Sequence, residues 1–354
     1  MNKPRTWKSR TFLAAVICCG VFTAAFLTRC GQSARMLHIY TWADYFKPAL
    51  VARFERQNGC RVVIDTYDSN ETMYAKIKAG ARGYDLLTPT SYMVSLMDAQ
   101  GMVLKLDHGL LPNLVHIDPE YLELAVDKDM DHSVPYMIVN TVIAYLGSRV
   151  NDFEPSWAMF DRTDLKGRMT MLNDMRETIG AGLKFLGFSL NSTNETELEA
   201  AKEVVIRWKK NIAKYENEQY KTGVASGEFL LVQGYSGDIL QVQQENPDVR
   251  FAVPREGTTI SVDDLIIPEG AKEIGLAHVF INFLHDPEVA AENIAFLRYL
   301  CPNKDAYALL AEGLRRNPGI FMDPDIRARS EIIANLGEAN ALYIKIWDEI
   351  KAAK

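Results

Sequence analysis

His38-Ile-Tyr-Thr-Trp-Ala-Asp-Tyr45 is a short apolar run that ends in two aromatic rings with a carboxylate between them. The run has the length of a strand, and its last residues fall where a strand opens into a loop. In open α/β sheets ligands collect outside the C-terminal ends of the strands, so Trp42, Asp44 and Tyr45 stand where a site is expected. Their chemistry suits an organic cation, which an aromatic face and a carboxylate both attract. A lone W-x-x-Y is more commonly plain core, so the rest of the chain has to supply the matching half.

Outward from this stretch, strand and helix alternate. Met36 to Tyr40 and Val62-Val63-Ile64 are strand-like; between them Pro48 to Asn58 places Leu50, Val51 and Phe54 on one helical face, and Gly59 stops it. Asn70 reads as the N-cap of a helix carrying Met73 and Ile77. Tyr84 to Leu87 is a third strand, followed by Thr90-Ser91-Tyr92 and a helix ending near Gly101. Such βα repetition predicts an α/β protein with mainly parallel sheets.

The apolar stretch from Pro135 to Tyr145 is too long for one ordinary strand and reads as a chain leaving one sheet for another. Alternation then resumes with Met169 to Leu172. Asp174, Arg176 and Glu177 open the next helix, at the end where the macrodipole favours anionic side chains. Asn194 with Glu197 forms a box-like cap on a helix whose Leu198, Ala201, Val205, Trp208 and Ile212 make one apolar stripe, which assigns Trp208 to the core. Phe229 to Val232 is a strand ending in Gly234-Tyr235-Ser236-Gly237-Asp238, a second aromatic and acidic strand end.

In Ile260-Ser-Val-Asp-Asp-Leu-Ile-Ile267 two carboxylates interrupt an apolar run. Burying either needs a cation or hydrogen-bond donors. Side chains alternate on a pleated strand, so with Asp263 turned to a site, Asp264 is expected to face solvent or cap the strand edge. Lys272 to Leu284 and Pro287 to Leu297 are helical, and Leu342 to Ile350 forms a C-terminal amphipathic helix.

Composition bounds the function. At 354 residues, with 48% hydrophobic and 24% charged residues, the chain suits two lobes of an ordinary globular protein. Lys3, Arg5, Lys8 and Arg10 precede an uncharged run from Thr11 to Thr28, the pattern of an export signal over residues 1–29. Leu27-Thr-Arg-Cys30 resembles a bacterial lipobox with Cys30 as the lipid attachment point, although Arg29 replaces the usual small residue. Residues 1–29 hold five of the 39 Lys/Arg and none of the 46 Asp/Glu, so the remainder carries a net charge of −12. That surplus argues against nucleic acid and anionic membrane surfaces as partners. Cys60 and Cys301 are expected to be buried free thiols, and the six histidines show no metal-ligand spacing.

Residues from Met36 to the C-terminus resemble the periplasmic spermidine/putrescine-binding proteins of bacterial polyamine ABC transporters. The matching residues run from Tyr67-Asp-Ser-Asn-Glu-Thr-Met-Tyr-Ala-Lys76 through Tyr84-Asp-Leu86, Ser133-Val-Pro-Tyr136, Asp174-Met-Arg-Glu177 and Gly227-Glu228 to Val262-Asp263. The resemblance implies a two-lobed type II periplasmic-binding fold, each lobe a mainly parallel sheet flanked by helices. Residues 36–140 with 264–310 would form lobe 1, residues 141–263 with 311–354 lobe 2, and residues 30–35 a linker. It further implies a monomeric receptor in the periplasm, held to a membrane through Cys30, that has no cofactor or metal and delivers putrescine or spermidine to an ABC permease.

Carried over by position, the ligand-contacting residues are Trp42, Ala43, Asp44, Tyr45, Thr90, Tyr92, Asp174, Glu177, Tyr235, Asp238, Asp263 and Tyr299. Several departures bear on ligand preference. Ala43 lacks a common hydroxyl, Tyr235 stands where Trp is usual, Ser261 replaces an aromatic, and Ile333 takes the place of a Gln found in spermidine-preferring members. The pairing of Asp44 with Asp238 resembles putrescine-binding members. Other ligands suit the same residues less well. An anion would want Arg or Lys at these strand ends, and iron would suit the tyrosines but not a Trp-walled slot. An enzyme would have only Cys301 as nucleophile, without an accompanying base.

Overall fold

The computed structural model describes residues 35–123 and 125–354; the export and lipobox readings fall outside them. Its first sheet has the order β2-β1-β3, where β1 is Arg35–Trp42, β2 Cys60–Tyr67 and β3 Leu86–Leu87, all parallel. Helix α1 (Pro48–Asn58) connects β1 to β2, and α2 (Asn70–Lys78) connects β2 to β3. Gly59 ends α1 in the left-handed conformation, φ 59°, which a residue without Cβ adopts freely. Only Leu86 and Leu87 of the expected third strand pair, and α3 (Ser91–Asp98) follows.

Strand β4 (Val134–Leu146) is a single 13-residue strand that changes partner halfway. Val134 to Asn140 runs antiparallel to β9 (Thr259–Leu265), whereas Thr141 to Tyr145 pairs with β7 (Leu231–Tyr235). The long apolar run therefore does not leave one sheet for another: β9, β4 and β7 are neighbours in one seven-stranded sheet, and the length of β4 serves to pair with β9 along its first half and β7 along its second. In the second sheet β5 (Met169–Met171) is parallel to both β6 (Lys214–Tyr215) and β7, and β8 (Val249–Ala252) pairs with the end of β4. The short β10 (Glu331–Ile332) lies along β9. Helices α4 (Met175–Phe185), α5 (Glu195–Lys209), α6 (Gln219–Ser226) and α7 (Ser236–Glu245) alternate with these strands, and α8 (Ile274–Leu284) and α9 (Pro287–Leu297) follow β9.

The fold is mixed α/β with two lobes, and apolar burial falls into two large cores and a smaller one around Tyr67, Met73 and Met97. One core gathers β1, α1, α8 and α9 around Phe54, Tyr136 and Phe280. A second gathers β5, β7, α4 and α5 around Trp157, Phe160 and Trp208, and is closed by α10 (Asn340–Ala352) through Tyr343 and Trp347. Trp208 is fully buried, as its helical stripe required. Cys60 and Cys301 are free and buried.

Three local readings change. Ser69, not Asn70, caps α2, accepting from the Thr72 amide at 3.2 Å, because Asn70 is turned inward to Thr90. Asn194 caps α5, but Glu197 bonds the Ser192 hydroxyl at 2.5 Å and does not close a box. Asp264 is fully buried, with Ser91 Oγ donating to it at 2.5 Å; β9 is covered on both faces, so its second face is α3 and not solvent.

Candidate functional site

The loops after β1, β2, β3, β5, β6 and β7 converge on one cavity of about 90 Å³. All twelve residues nominated from the sequence line it. From the first sheet come Trp42, Ala43, Asp44 and Tyr45 after β1, with Thr90 and Tyr92 at the start of α3. Asp174 and Glu177 open α4, Tyr235 ends β7, Asp238 lies in the first turn of α7, Asp263 sits on β9 and Tyr299 follows α9.

Asp263 is built into its position. Its Oδ1 accepts from Thr90 Oγ1 at 2.7 Å and its Oδ2 from the Tyr45 hydroxyl. Thr90 occupies the N-cap position of α3 without capping it, since Asn70 holds it on both sides: Thr90 N donates to Asn70 Oδ1, and Asn70 Nδ2 donates to Thr90 Oγ1, each at 3.1 Å. Burial pushes the Asp263 carboxyl up to about 6, with the two hydroxyls pulling the other way. A cationic group arriving at this carboxylate would supply the compensating charge.

At the second acidic position Glu177 Oε2 accepts from Thr141 Oγ1 at 2.6 Å and Thr259 Oγ1 at 2.5 Å. Burial first, then the neighbouring Asp174 charge, lift Glu177 to about 7. Asp174 is the N-cap of α4, accepting from the amides of Arg176 at 2.8 Å and Glu177 at 3.1 Å, and still lines the cavity. Capping and facing the cavity thus coexist in one carboxylate. Between Asp174 and Glu177 the chain turns Arg176 inward, where it donates to Ala334 O at 2.9 Å and Asn191 Oδ1 at 2.6 Å.

The third acidic position is Asp238, which accepts from Tyr299 at 2.9 Å and Tyr220 at 2.5 Å. Gly237 makes the first of these contacts possible, because a Cβ there would stand 2.6 Å from the Tyr299 ring. Tyr299 in turn lies 6.3 Å, ring to ring, from Tyr45, so two aromatic rings separate Asp238 from Asp263. Trp42 is fixed by donation from its indole N–H to Thr88 O at 2.9 Å and by the Tyr67 ring at 4.5 Å. Asp44 is exposed at the cavity edge with φ 53°, a left-handed conformation that Asp tolerates better than most residues.

Sequence reasoning missed Asp68, Asn217, Glu218 and Lys221, and it read Asn70 and Arg176 as helix-end residues only. Asp68 lies just beyond β2, so the strand-end rule applied to every readable strand would have reached it, whereas Asn217 follows β6, a strand of two residues with no pattern to read. With these included, seven carboxylates and two cationic side chains line the cavity. Neither a histidine nor a cysteine is among the lining residues. Cys301 is fully buried, and burial raises its thiol to about 12, which leaves it no nucleophilic character.

A family model for bacterial extracellular solute-binding proteins matches residues 49–322. The spermidine/putrescine-binding periplasmic protein of Salmonella typhimurium is 32% identical over 323 residues, covering 90% of this chain and 92% of that protein. The putrescine/cadaverine-binding protein of Pseudomonas aeruginosa is 31% identical over 333 residues, covering 90% and 94%. Among solved structures, the TpPotD lipoprotein of Treponema pallidum superposes with a TM-score of 0.81 at 31% identity, over 89% of this chain and 99% of that one. With a family match across most of its length and relatives of its own size, the chain belongs to the bacterial extracellular solute-binding proteins.

Proposed function

We propose that this protein is the solute receptor of a polyamine ABC importer, closing on putrescine or spermidine and handing it to a membrane permease. The observation that carries the reading is the interleaving of carboxylates with aromatic rings around one cavity: Glu177, Tyr235, Asp263, Tyr45, Tyr299 and Asp238. A polyamine has the complementary pattern, ammonium groups separated by methylene chains. Each cation over a ring contributes about 0.5–2 kcal/mol and each charge-assisted hydrogen bond about 1.5–3 kcal/mol. A few of each reach the roughly 8 kcal/mol of micromolar affinity after the cost of ordering the ligand and closing the lobes.

The relatives' names support this ligand class, and the absence of His and Cys from the cavity lining fits a receptor better than an enzyme. In this reading the chain divides near residues 140 and 263, where β4 and β9 pass between the lobes, and the receptor works as a monomer without metal or cofactor. Export through residues 1–29 and a lipid on Cys30 would place it at the outer face of the membrane that holds its permease.

Calorimetric titration of refolded, ligand-free protein tests the proposal. Micromolar or tighter binding of putrescine or spermidine, with a rise in melting temperature, is expected. Heat-silent titrations with no thermal shift for either polyamine would sink the idea.

A further inference from the structure

Lys221 is the one lysine of the cavity lining and brings an ammonium group into it. It lies in the first turn of α6, 3.1 Å from Glu218 Oε2 and 3.8 Å from Asp238 Oδ2, with its side chain only 25% exposed. Arg176, the other cationic residue of the lining, is fully buried and spends its donors on Ala334 and Asn191. Lys221 has no such second commitment: both of its ion-pair partners are carboxylates that line the cavity.

Asp238 is correspondingly crowded. Tyr220 and Tyr299 each donate to one of its oxygens, and Lys221 lies on the Oδ2 side. A ligand ammonium reaching Asp238 therefore meets a resident ammonium within the range where like charges disfavour each other, about 4–6 Å. Asp263 and Glu177 differ, since their nearest partners are neutral hydroxyls.

We infer that Lys221 is a specificity-determining residue, a built-in ammonium that holds the Asp238 end of the cavity and disfavours ligands carrying a third positive charge. The inference rests on the polyamine reading above. Of the three hydroxyl-held carboxylates among the seven, Asp263 and Glu177 form no ion pair among the described residues, which matches a diamine; a triamine that uses all three must share Asp238 with Lys221 or displace it. If Lys221 served only to pair with Glu218 on the helix surface, its charge would leave the ranking of ligands untouched.

The test compares putrescine and spermidine binding, by calorimetry on the full chain, in wild type, Lys221→Gln and Lys221→Arg. Lys221→Gln is expected to improve spermidine affinity relative to putrescine at least tenfold, while Lys221→Arg keeps the wild-type ratio. Lys221→Met, which keeps the unbranched stem, must reproduce the Gln result and guards against a fold defect peculiar to one variant. An unchanged ratio in both neutral variants, with wild type binding polyamines, overturns the role of Lys221 alone. Wild type that binds neither polyamine overturns the polyamine reading and this inference with it.

Discussion

Asp263 and Asp264 are adjacent acids in one strand, and their fates differ through their neighbours. Asp263 faces the cavity and is held by two hydroxyls; Asp264 faces α3, where its Oδ1 has no partner. Alternation along the strand correctly separated the two side chains but could not say what covered the second face. Only the packing of α3 on β9 supplies that. At the first acid, Asp263→Asn is expected to weaken polyamine binding more than tenfold, since one charge-assisted contact in a closed cleft is lost. An unchanged dissociation constant in that variant would remove Asp263 from the binding site.

Among elements, strand ends were readable wherever the strand itself carried an apolar run. The ends of β1 and β7 announced themselves through Trp42, Tyr45, Tyr235 and Asp238, whereas the length of β4 suggested a passage between sheets and is instead a change of partner within one. Lys214–Tyr215 is a two-residue strand with no periodicity to detect, so the polar residues beyond it, Asn217, Glu218 and Lys221, went unnoticed. The junction of α7 with the segment after α9 depends on close approach at Gly237. Gly237→Ala is expected to push the Tyr299 ring off Asp238 and weaken polyamine binding several-fold, while the melting temperature falls by only a few degrees. A crystal structure of the variant with Tyr299 in place and unaltered affinity would refute this.

For the whole molecule, buried carboxyls set the pH dependence of stability. Burial pushes Asp264 up to about 8, with smaller contributions from the charges of Asp263 and Asp127 and the Ser91 hydroxyl pulling it down. In the unfolded chain the same group titrates near 4. Between those values the folded state holds a proton that the unfolded state has released, so stability is full below about pH 4 and is lost as pH rises through 8. The slope from this one group approaches about 1.4 kcal/mol per pH unit, and Asp263 near 6 and Glu177 near 7 act in the same direction. Melting curves of ligand-free protein from pH 5 to 9 should therefore fall with pH, and Asp264→Asn should flatten the fall and melt higher than wild type at pH 8. An identical profile in the variant would rule out Asp264 as the source.

Glu177 gives the seven-stranded sheet a particular economy. Its carboxyl grips hydroxyls on β4 and β9 together, at the residue where β4 exchanges β9 for β7 as its partner. A side chain that lines the cavity is thus also a rivet between two neighbouring strands. Whatever neutralises or recharges that carboxyl acts on the seam between β4 and β9 directly, without any relay through other elements.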